Sequence, residues 1–136
     1  INTEVALYHA QSQVFLGLDR QGKVTTRRAN TANDFSPGWT DERFRVIDAS
    51  GCPKTDCGPG RVALLNPSTN RYLRIQADRQ VVGSKPGDSS FYGSGFTFVD
   101  IDQGATVPPL KKVALYSSSR KQLVRIYNGQ VDVVDA

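Results

Sequence analysis

One apolar pattern occurs three times in this chain of 136 residues. Each copy opens on Val-Ala-Leu, at residues 5–7, 62–64 and 113–115. A bulky apolar residue follows ten positions after each of these valines: Phe15, Tyr72 and Leu123. A repeat of about 50 residues is typical of a fold that is built from equivalent supersecondary units. The repeat therefore restricts the fold more than any single motif in the chain.

The copies consist of short segments with the character of β-strands. Residues 43–48 alternate charged and apolar side chains, the pattern of a half-buried strand. No segment keeps a helical apolar period over several turns, so we predict an all-β chain. Between the strands, the loop at residues 29–41 is polar, and its Phe35 and Trp39 are expected to pack back onto the core. The predicted strands are residues 4–10, 14–19, 23–28 and 43–48, then 61–65, 70–75, 81–84 and 96–100, and finally 113–116, 122–126 and 129–131.

Three units of four strands predict a β-trefoil, a six-stranded barrel capped by three hairpins. The chain is expected to form one domain with repeats at about 1–57, 58–109 and 110–136. The third repeat supplies only three strands, and the twelfth is expected to follow Ala136, as the counterpart of the strands at Phe44 and Phe96. An open barrel exposes unpaired backbone groups. We therefore predict that a second chain, a cleaved-off segment or a neighbouring molecule supplies this strand; the alternative is a disordered edge.

Composition and cysteine content favour a secreted protein. Hydrophobic residues make up 38% of the chain, which is ordinary for a globular domain, and no apolar run approaches the roughly 20 residues of a membrane span. The chain begins at Ile1, which we interpret as a mature end left by removal of a signal or pro-segment. Cys52 and Cys57 lie in a turn-rich loop and are expected to form a disulfide. Since His9 is the only histidine, no metal site is predicted.

The chain is basic, with a net charge of +4. Such a surface steers a protein towards polyanions, and we expect acidic glycans to be the class of polyanion that it binds. Neither nucleic-acid binding nor a membrane span is predicted. The alternative is a solvated surface with a slight excess of Lys and Arg. The predicted polyanion-binding residues form three pairs: Arg27 and Arg28, Lys111 and Lys112, and Arg120 and Lys121.

The sequence contains no arrangement of residues that predicts catalysis. His9 has no neighbouring group that would orient it as a base. The serines at 117–119 have no Gly-x-Ser-x-Gly frame and are expected to form a turn. Asp100 and Asp102 are expected to be solvated at a strand end. We therefore predict a protein that is not an enzyme and that uses no cofactor.

Two resemblances extend over the chain. Residues 72–75, followed by Asp78 and residues 82–84, resemble fibroblast growth factor repeats, and fascin-like trefoils share the same core pattern. Residues 71–74, 88–91 and 96–98 resemble the arabinofuranosidase-type carbohydrate-binding trefoil, with a weaker echo at 33–35 and 43–44. The sugar-contacting His of that family is Ile75 here, and Ile126 in the third copy, so the resemblance carries over only the acidic partner, onto Asp88 and Asp34.

The predicted function is secreted, non-catalytic, lectin-like carbohydrate binding through surface loops. Asp34, Asn70 and Asp88 are expected to bind sugar hydroxyls, and Tyr92 to offer a stacking face. One alternative is a growth-factor-like signalling ligand that binds heparan sulfate and a receptor. Another is a protein-binding module or protease inhibitor that a partner strand completes, with the loop of Cys52 and Cys57 as the bait of an inhibitor.

Overall fold

The computed structural model describes residues 4–48, 60–85, 96–100, 113–127 and 130–136. Within these ranges the chain forms twelve strands and one short 3₁₀ turn, Ala32–Asp34, so the all-β prediction is confirmed. The strands of the first copy are β1 (Glu4–Val5), β2 (Tyr8–His9), β3 (Val14–Leu18), β4 (Val24–Arg28) and β5 (Phe44–Asp48). Those of the second are β6 (Val62–Asn66), β7 (Arg71–Ile75), β8 (Val81–Ser84) and β9 (Thr97–Asp100). Those of the third are β10 (Val113–Ser117), β11 (Gln122–Tyr127) and β12 (Gln130–Asp135).

The three copies pair their first hairpin in the same register. The ten-residue spacing explains this pairing. In each copy the first strand ends, a four-residue turn follows, and the next strand begins at equivalent positions. The matching pairs are Tyr8 with Phe15, Leu65 with Tyr72, and Tyr116 with Leu123. The turn residue eight positions after each valine has a positive φ near 55°: Gln13, Asn70 and Lys121. This threefold correspondence is that of a β-trefoil, as predicted.

A polar side chain at the end of the first strand holds each of these turns. Asn66, which is fully buried, accepts the N–H groups of Ser68 and Thr69 at 2.9 and 3.2 Å. The residues four positions after the other two valines do the same: His9 Nδ1 accepts Ser12 N–H at 3.2 Å, and Ser117 Oγ accepts Arg120 N–H at 3.3 Å. Three residue types thus perform one structural role, because each presents an acceptor that satisfies turn N–H groups.

Asn66 also connects the first two copies. Its side-chain N–H group donates to the carbonyl oxygens of Asp41 and Leu18, at 2.7 and 3.4 Å. The same Asp41 carbonyl accepts the N–H of Leu18 at 2.9 Å. The end of the loop that precedes β5 is therefore fixed against the turn of the second copy.

The barrel strands follow the order β1, β5, β6, β9 and β10. Val5 pairs with Phe44 where β1 meets β5, and the second copy repeats this contact between Val62 and Phe96. Val62 and Phe96 exchange both backbone hydrogen bonds, at 2.8 and 2.7 Å. Both phenylalanines are fully buried in a core made up mainly of leucine, isoleucine and valine. Strand β5 pairs with β6, and β9 pairs with β10, in antiparallel registers.

In the first two copies, the turn between β3 and β4 contacts β8, and the turn between β7 and β8 contacts β12. Gly22 has φ of 83° and accepts the N–H of Gly83 in β8 at 2.8 Å. A Cβ at Gly22 would lie 2.6 Å from the Gly83 carbonyl oxygen, so only glycine fits there. In the second copy Arg79 takes this position, with φ of 71°, and its guanidinium bonds Asp135 in β12 at 2.7 Å. Strand β12 in turn packs against β4.

In the part of the chain that the structure describes, the third copy has fewer strands than the other two. In the residues that the structure describes, nothing follows β12 as a counterpart of β5 and β9. The side chains of the third hairpin are correspondingly less buried. Leu16 and Leu73 are at most 2% exposed, whereas Val124, the residue at the same place, is half-buried. Ile126 is likewise half-buried, although its counterparts Leu18 and Ile75 are fully buried.

Several details differ from the strands that the sequence predicts, among them the last strand, which runs to Asp135 whereas the prediction ends at residue 131. The first predicted strand, residues 4–10, is divided into β1 and β2, because the chain leaves β5 and continues beside β3. The predicted loop 29–41 contains the 3₁₀ turn Ala32–Asp34. The predicted repeat boundaries after residues 57 and 109 lie outside the described residues. None of the described segments is a helix able to cross a membrane.

Replacing Asn66 by alanine is expected to destabilise the protein by about 2–3 kcal/mol, because two carbonyl oxygens and two turn N–H groups each lose a hydrogen bond to this buried side chain. The loss is measured by urea unfolding. Asn70→Gly is the matched control in the same turn, since glycine accepts the positive φ at that exposed position and stability stays within about 0.5 kcal/mol. Equal losses in the two variants would contradict the role of Asn66.

Acid is expected to weaken β12. Arg79 holds the pKa of the Asp135 carboxyl below its usual range through a hydrogen bond, and Arg125 does the same for the pKa of Asp132 in the same strand. Because both folded-state pKa values are lowered, the stabilisation is present above the unfolded value of about 4 and is lost as the pH falls through the folded values. The melting temperature, followed from pH 6 downward, is expected to fall less steeply below about pH 4 in the double variant Asp132→Asn/Asp135→Asn than in the parent. Parallel curves would contradict this account.

Candidate functional site

The loop between β4 and β5 of the first copy contributes two rings to the largest group of contacting aromatic side chains in the described residues. The loop leaves β4 at Ala29, whose N–H donates to the carbonyl oxygen of Gln13 at 2.9 Å. The 3₁₀ turn Ala32–Asp34 follows, and Asp34 Oδ2 accepts the N–H of Thr31 at 3.1 Å. Asp34 is thus held at the surface, with its side chain exposed.

Four rings, which we call the aromatic cluster, lie beneath and within this loop: Tyr8, Phe15, Phe35 and Trp39. Phe15 is the buried centre, with ring centroids 4.7 Å from Tyr8, 5.2 Å from Phe35 and 6.0 Å from Trp39. Phe35 and Trp39 contact each other edge to face at 5.8 Å. The hydroxyl of Tyr8 donates to the Ala29 carbonyl oxygen at 2.8 Å. The prediction that Phe35 and Trp39 pack back onto the core is confirmed.

Two arginines cover the outer rings of the aromatic cluster. The guanidinium carbon of Arg27 lies 4.9 Å from the centre of the Trp39 ring, and that of Arg43 lies 5.0 Å from the centre of Phe35. Arg43 also donates to the Pro37 carbonyl oxygen at 2.8 Å, which fixes the middle of the loop. Cation–π contacts of this kind favour a single arrangement of ring and cation.

Glu42 is a buried carboxylate that lies behind Arg27, the arginine that stacks on Trp39. Its side chain is 3% exposed, and Arg27 Nε lies 3.2 Å from its Oε2. None of the described residues gives its Oε1 a hydrogen bond. Gly17 leaves the room for this carboxylate, because a Cβ there would lie 2.7 Å from Thr25 Oγ1 and 3.0 Å from Glu42 Oε2. Glu42 therefore fixes Arg27 over Trp39 from below.

The arrangement combines features that suit recognition of a polar ring-shaped ligand. It holds aromatic rings in fixed positions, an exposed carboxylate directly before one of those rings in sequence, and an arginine side chain, that of Arg27, that is 46% exposed. Within the described residues no group of three or more His, Cys, Asp or Glu side chains could hold a metal ion. The chemistry available is hydrogen bonding, ring stacking and charge attraction.

The predicted sugar-binding residues fall in different parts of the chain. Asp34 lies in the loop of the first copy, whereas Asn70 is exposed in the β6–β7 turn of the second. The two segments meet where Asn66 bonds the Asp41 carbonyl oxygen. Asp88 and Tyr92 lie outside the described residues, as do Cys52 and Cys57, so these assignments remain predictions.

The predicted basic residues have differing environments. Arg27 is engaged by Glu42 and Trp39, and Arg120 donates from Nε to the Ile75 carbonyl oxygen at 3.1 Å. Arg28 is exposed at the end of β4, beside the first turn, and Lys121 is exposed in the equivalent turn of the third copy. Lys111 and Lys112 lie outside the described residues. Binding of polyanions by these residues remains a prediction.

Sequence reasoning missed Glu42 and Arg43 as parts of the site. Both lie in the charged run that leads into β5, where alternation suggests solvated side chains. Arg43 is only half-buried, whereas Glu42 is buried, and no local pattern distinguishes it from its neighbours. The available signal was the small residue Gly17 inside an otherwise bulky strand, which marks a place where another group approaches closely.

No protein-family model and no curated protein sequence matches this chain. Among solved structures it is similar to the "BEL beta-trefoil", with a TM-score of 0.71 and 16% identity, over 98% of this chain and 84% of that one. It is also similar to the designed threefold-symmetric protein ThreeFoil, with a TM-score of 0.66 and 13% identity, over 96% and 86% of the two chains. A GH54 α-L-arabinofuranosidase aligns with a TM-score of 0.67 and 14% identity, over 96% of this chain but 25% of the enzyme. These similarities confirm the β-trefoil fold.

Replacing Arg27 by methionine is expected to destabilise the protein by about 2–3 kcal/mol, because it leaves the buried Glu42 carboxylate without a partner. Arg28→Met is the matched control on the same strand, where an exposed side chain is replaced and the change stays within about 0.5 kcal/mol. The double variant Arg27→Met/Glu42→Leu is expected to recover most of the loss, since it removes both charges. Urea unfolding of the four proteins measures the effect, and a double variant no more stable than Arg27→Met would refute the ion-pair role.

Proposed function

We propose that this chain is a secreted, non-catalytic protein that binds carbohydrate through the loop between β4 and β5. The observation that carries the proposal is the loop itself, in which exposed Asp34 directly precedes a ring of the aromatic cluster. Loops on a rigid scaffold are where trefoil function is expected, because barrel side chains are occupied by packing. The disulfide that the sequence predicts between Cys52 and Cys57 would support secretion, since disulfides persist in oxidising compartments.

The residues of the loop match the chemistry of a sugar. A pyranose or furanose presents hydroxyls at its rim and C–H groups on its faces. The Asp34 carboxylate accepts hydroxyl hydrogen bonds, and charge strengthens such bonds. Phe35 and Trp39 are half-buried, and the part of each ring that its arginine leaves uncovered offers apolar surface. Because Phe15 and the two arginines fix these rings, little side-chain freedom is lost on binding.

The structural neighbours support a sugar ligand at the level of the fold. One of them is an α-L-arabinofuranosidase, an enzyme that acts on a furanoside, and this chain aligns with a quarter of its length. The resemblance of residues 88–91 to the carbohydrate-binding trefoil motif supports a second site in the next copy, where Asp88 would take the role of Asp34 and Tyr92 would provide the stacking face.

Asp34→Ala is expected to weaken glycan binding about tenfold or more, because a charge-assisted hydrogen bond is lost. The parent is first screened on an array of neutral and acidic glycans, and the best ligand is then titrated by calorimetry. Asp78→Ala is the matched control: Asp78 is also exposed and also accepts a local backbone N–H, that of Gln80 at 3.0 Å. Asp88→Ala tests the second site in the same assay.

Three outcomes distinguish the functional classes. Elution from an affinity column by a neutral sugar supports the lectin. Retention on heparin that is lost at moderate salt supports the growth-factor-like alternative, because exposed charge pairs are screened over about 8–10 Å. Unchanged affinity in Asp34→Ala and in Asp88→Ala would show that both sites are assigned wrongly, and the absence of any glycan ligand would refute the lectin itself.

A second candidate function is a protein-binding module. The observation that favours it is the unequal third copy, in which Val124 and Ile126 stay half-buried while the corresponding side chains of the other copies are buried. A strand from a second chain that lies between β10 and β1 would cover them. Strand addition to an open sheet edge is a common mode of peptide recognition.

A further inference from the structure

The only histidine of the chain holds the turn that follows β2. The Nδ1 atom of His9 accepts the backbone N–H of Ser12 at 3.2 Å, and Ser12 Oγ lies 2.8 Å from the same nitrogen. A backbone N–H can only donate, so Nδ1 carries no proton in this arrangement and the proton of the neutral ring is on Nε2. The Ser12 hydroxyl therefore donates to Nδ1 as well. The turn thus depends on a nitrogen lone pair that a proton can occupy.

This turn also holds the first residues of the loop between β4 and β5. The Gln13 carbonyl oxygen accepts the N–H of Ala29 at 2.9 Å, and the Gln13 side chain donates to the Asn30 carbonyl oxygen at 3.1 Å. Tyr8, the neighbour of His9 in β2, donates its hydroxyl to the Ala29 carbonyl oxygen at 2.8 Å. Three hydrogen bonds therefore connect β2 and its turn to the base of the loop.

The other two copies have side chains at this position that do not gain a proton near neutral pH. Asn66 and Ser117 accept the turn N–H groups of the second and third copies. An amide and a hydroxyl keep their acceptor lone pairs, whereas imidazole side chains gain a proton between about pH 8 and 5. The titratable acceptor thus occurs in the copy whose loop carries the rings of the aromatic cluster.

The strands around His9 carry ionisable groups of other kinds. Strand β3, which pairs with β2, carries none. On β4, Arg28 lies opposite Val14, the partner of His9, and Arg27 is bound to Glu42. Strand β12 packs against β4 and contributes two carboxylates that arginines bind, those of Asp132 and Asp135. Arginine, tyrosine and aspartate side chains ordinarily titrate above about pH 12, near 10 and near 4, outside the range of imidazole.

We propose that His9 is a pH switch at the base of the loop between β4 and β5. A proton on Nδ1 removes the acceptor of the Ser12 N–H, and two N–H groups then face each other. The imidazolium still donates to Ser12 Oγ, so the side chain stays in place while the backbone of the turn opens. The opened turn releases Ala29 and Asn30, and the loop loosens.

The direction of the switch follows from the hydrogen bonds. The loop is closed while the imidazole is neutral, and it loosens as the pH falls through the range in which imidazole gains its proton. The consequence for a ligand rests on the proposed function: a sugar that the loop holds at neutral pH is released in mild acid. The switch itself does not depend on the identity of the ligand.

The chain contains its own reporter, because Trp39 lies in the loop and is the only tryptophan. Its fluorescence is followed from pH 8 to pH 5 without any ligand, and we expect one sigmoidal change. His9→Asn and His9→Ser are the matched controls, since they copy the acceptors of the second and third copies. Both are expected to keep the turn closed and to give a flat curve over this range.

Amide hydrogen exchange by NMR tests the same step at the backbone. The protection factors of Ser12 and Ala29, corrected for the intrinsic effect of pH on exchange, are expected to fall about fivefold between pH 8 and 5 in the parent, because a hydrogen bond is lost. In His9→Asn they are expected to stay constant. Unchanged protection in the parent would overturn the inference, even if Trp39 responds to pH.

The fluorescence curves have equally definite outcomes. A flat curve in the parent overturns the inference. A change that persists in both His9 variants also overturns it, and would assign the effect to another group, with Glu42 tested next through Glu42→Gln. Failure of the switch leaves the sugar site standing, because Asp34→Ala tests that site at a single pH. If the switch is confirmed but glycan affinity is equal at pH 8 and 5, the loop is not the ligand site and the switch remains.

Discussion

Backbone pairing between the first strand of one copy and a fourth strand is the contact on which this barrel depends. Val5 with Phe44 and Val62 with Phe96 place a large ring in the core and at the same time join strands that are far apart in sequence. The hairpins add side chains to a core that these pairs have already closed on two sides. In the third copy, where the described residues contain no such pair, Val124 and Ile126 are only half-buried.

The threefold backbone and the single aromatic loop serve different purposes. The backbone repeats its register and its turn conformation in every copy, while the side chains that face the loops differ. Phe15 anchors Phe35 and Trp39 in the first copy, but the residues at its position in the others are Tyr72 and Leu123. Equivalent scaffolds thus carry unequal surfaces, and for this reason fold similarity at 13–16% identity says little about ligands.

Much of the fold could be predicted from the sequence, because the spacing of apolar residues is set by backbone geometry. The ten-residue step predicted the hairpin register, and the recurrence of Phe44 and Phe96 marked the fourth strand of the first two copies. The site was harder to predict. Arg27 looked like half of a basic pair, yet it neutralises a carboxylate on a neighbouring segment. Burial of Glu42 depends on space left by Gly17, which lies far away in the chain. The common role of His9, Asn66 and Ser117 could not be predicted, because each presents a hydrogen-bond acceptor to its turn but the three are different residue types.

The way in which the hairpins support one another has a consequence for folding. The tip of the first hairpin rests on β8, the tip of the second rests on β12, and β12 packs against β4. Because the hairpins support one another in a closed ring, none of them is a terminal unit from which unfolding could proceed one hairpin at a time. Loss of any one hairpin removes a contact that supports its neighbour, so the stability of the three hairpins is coupled.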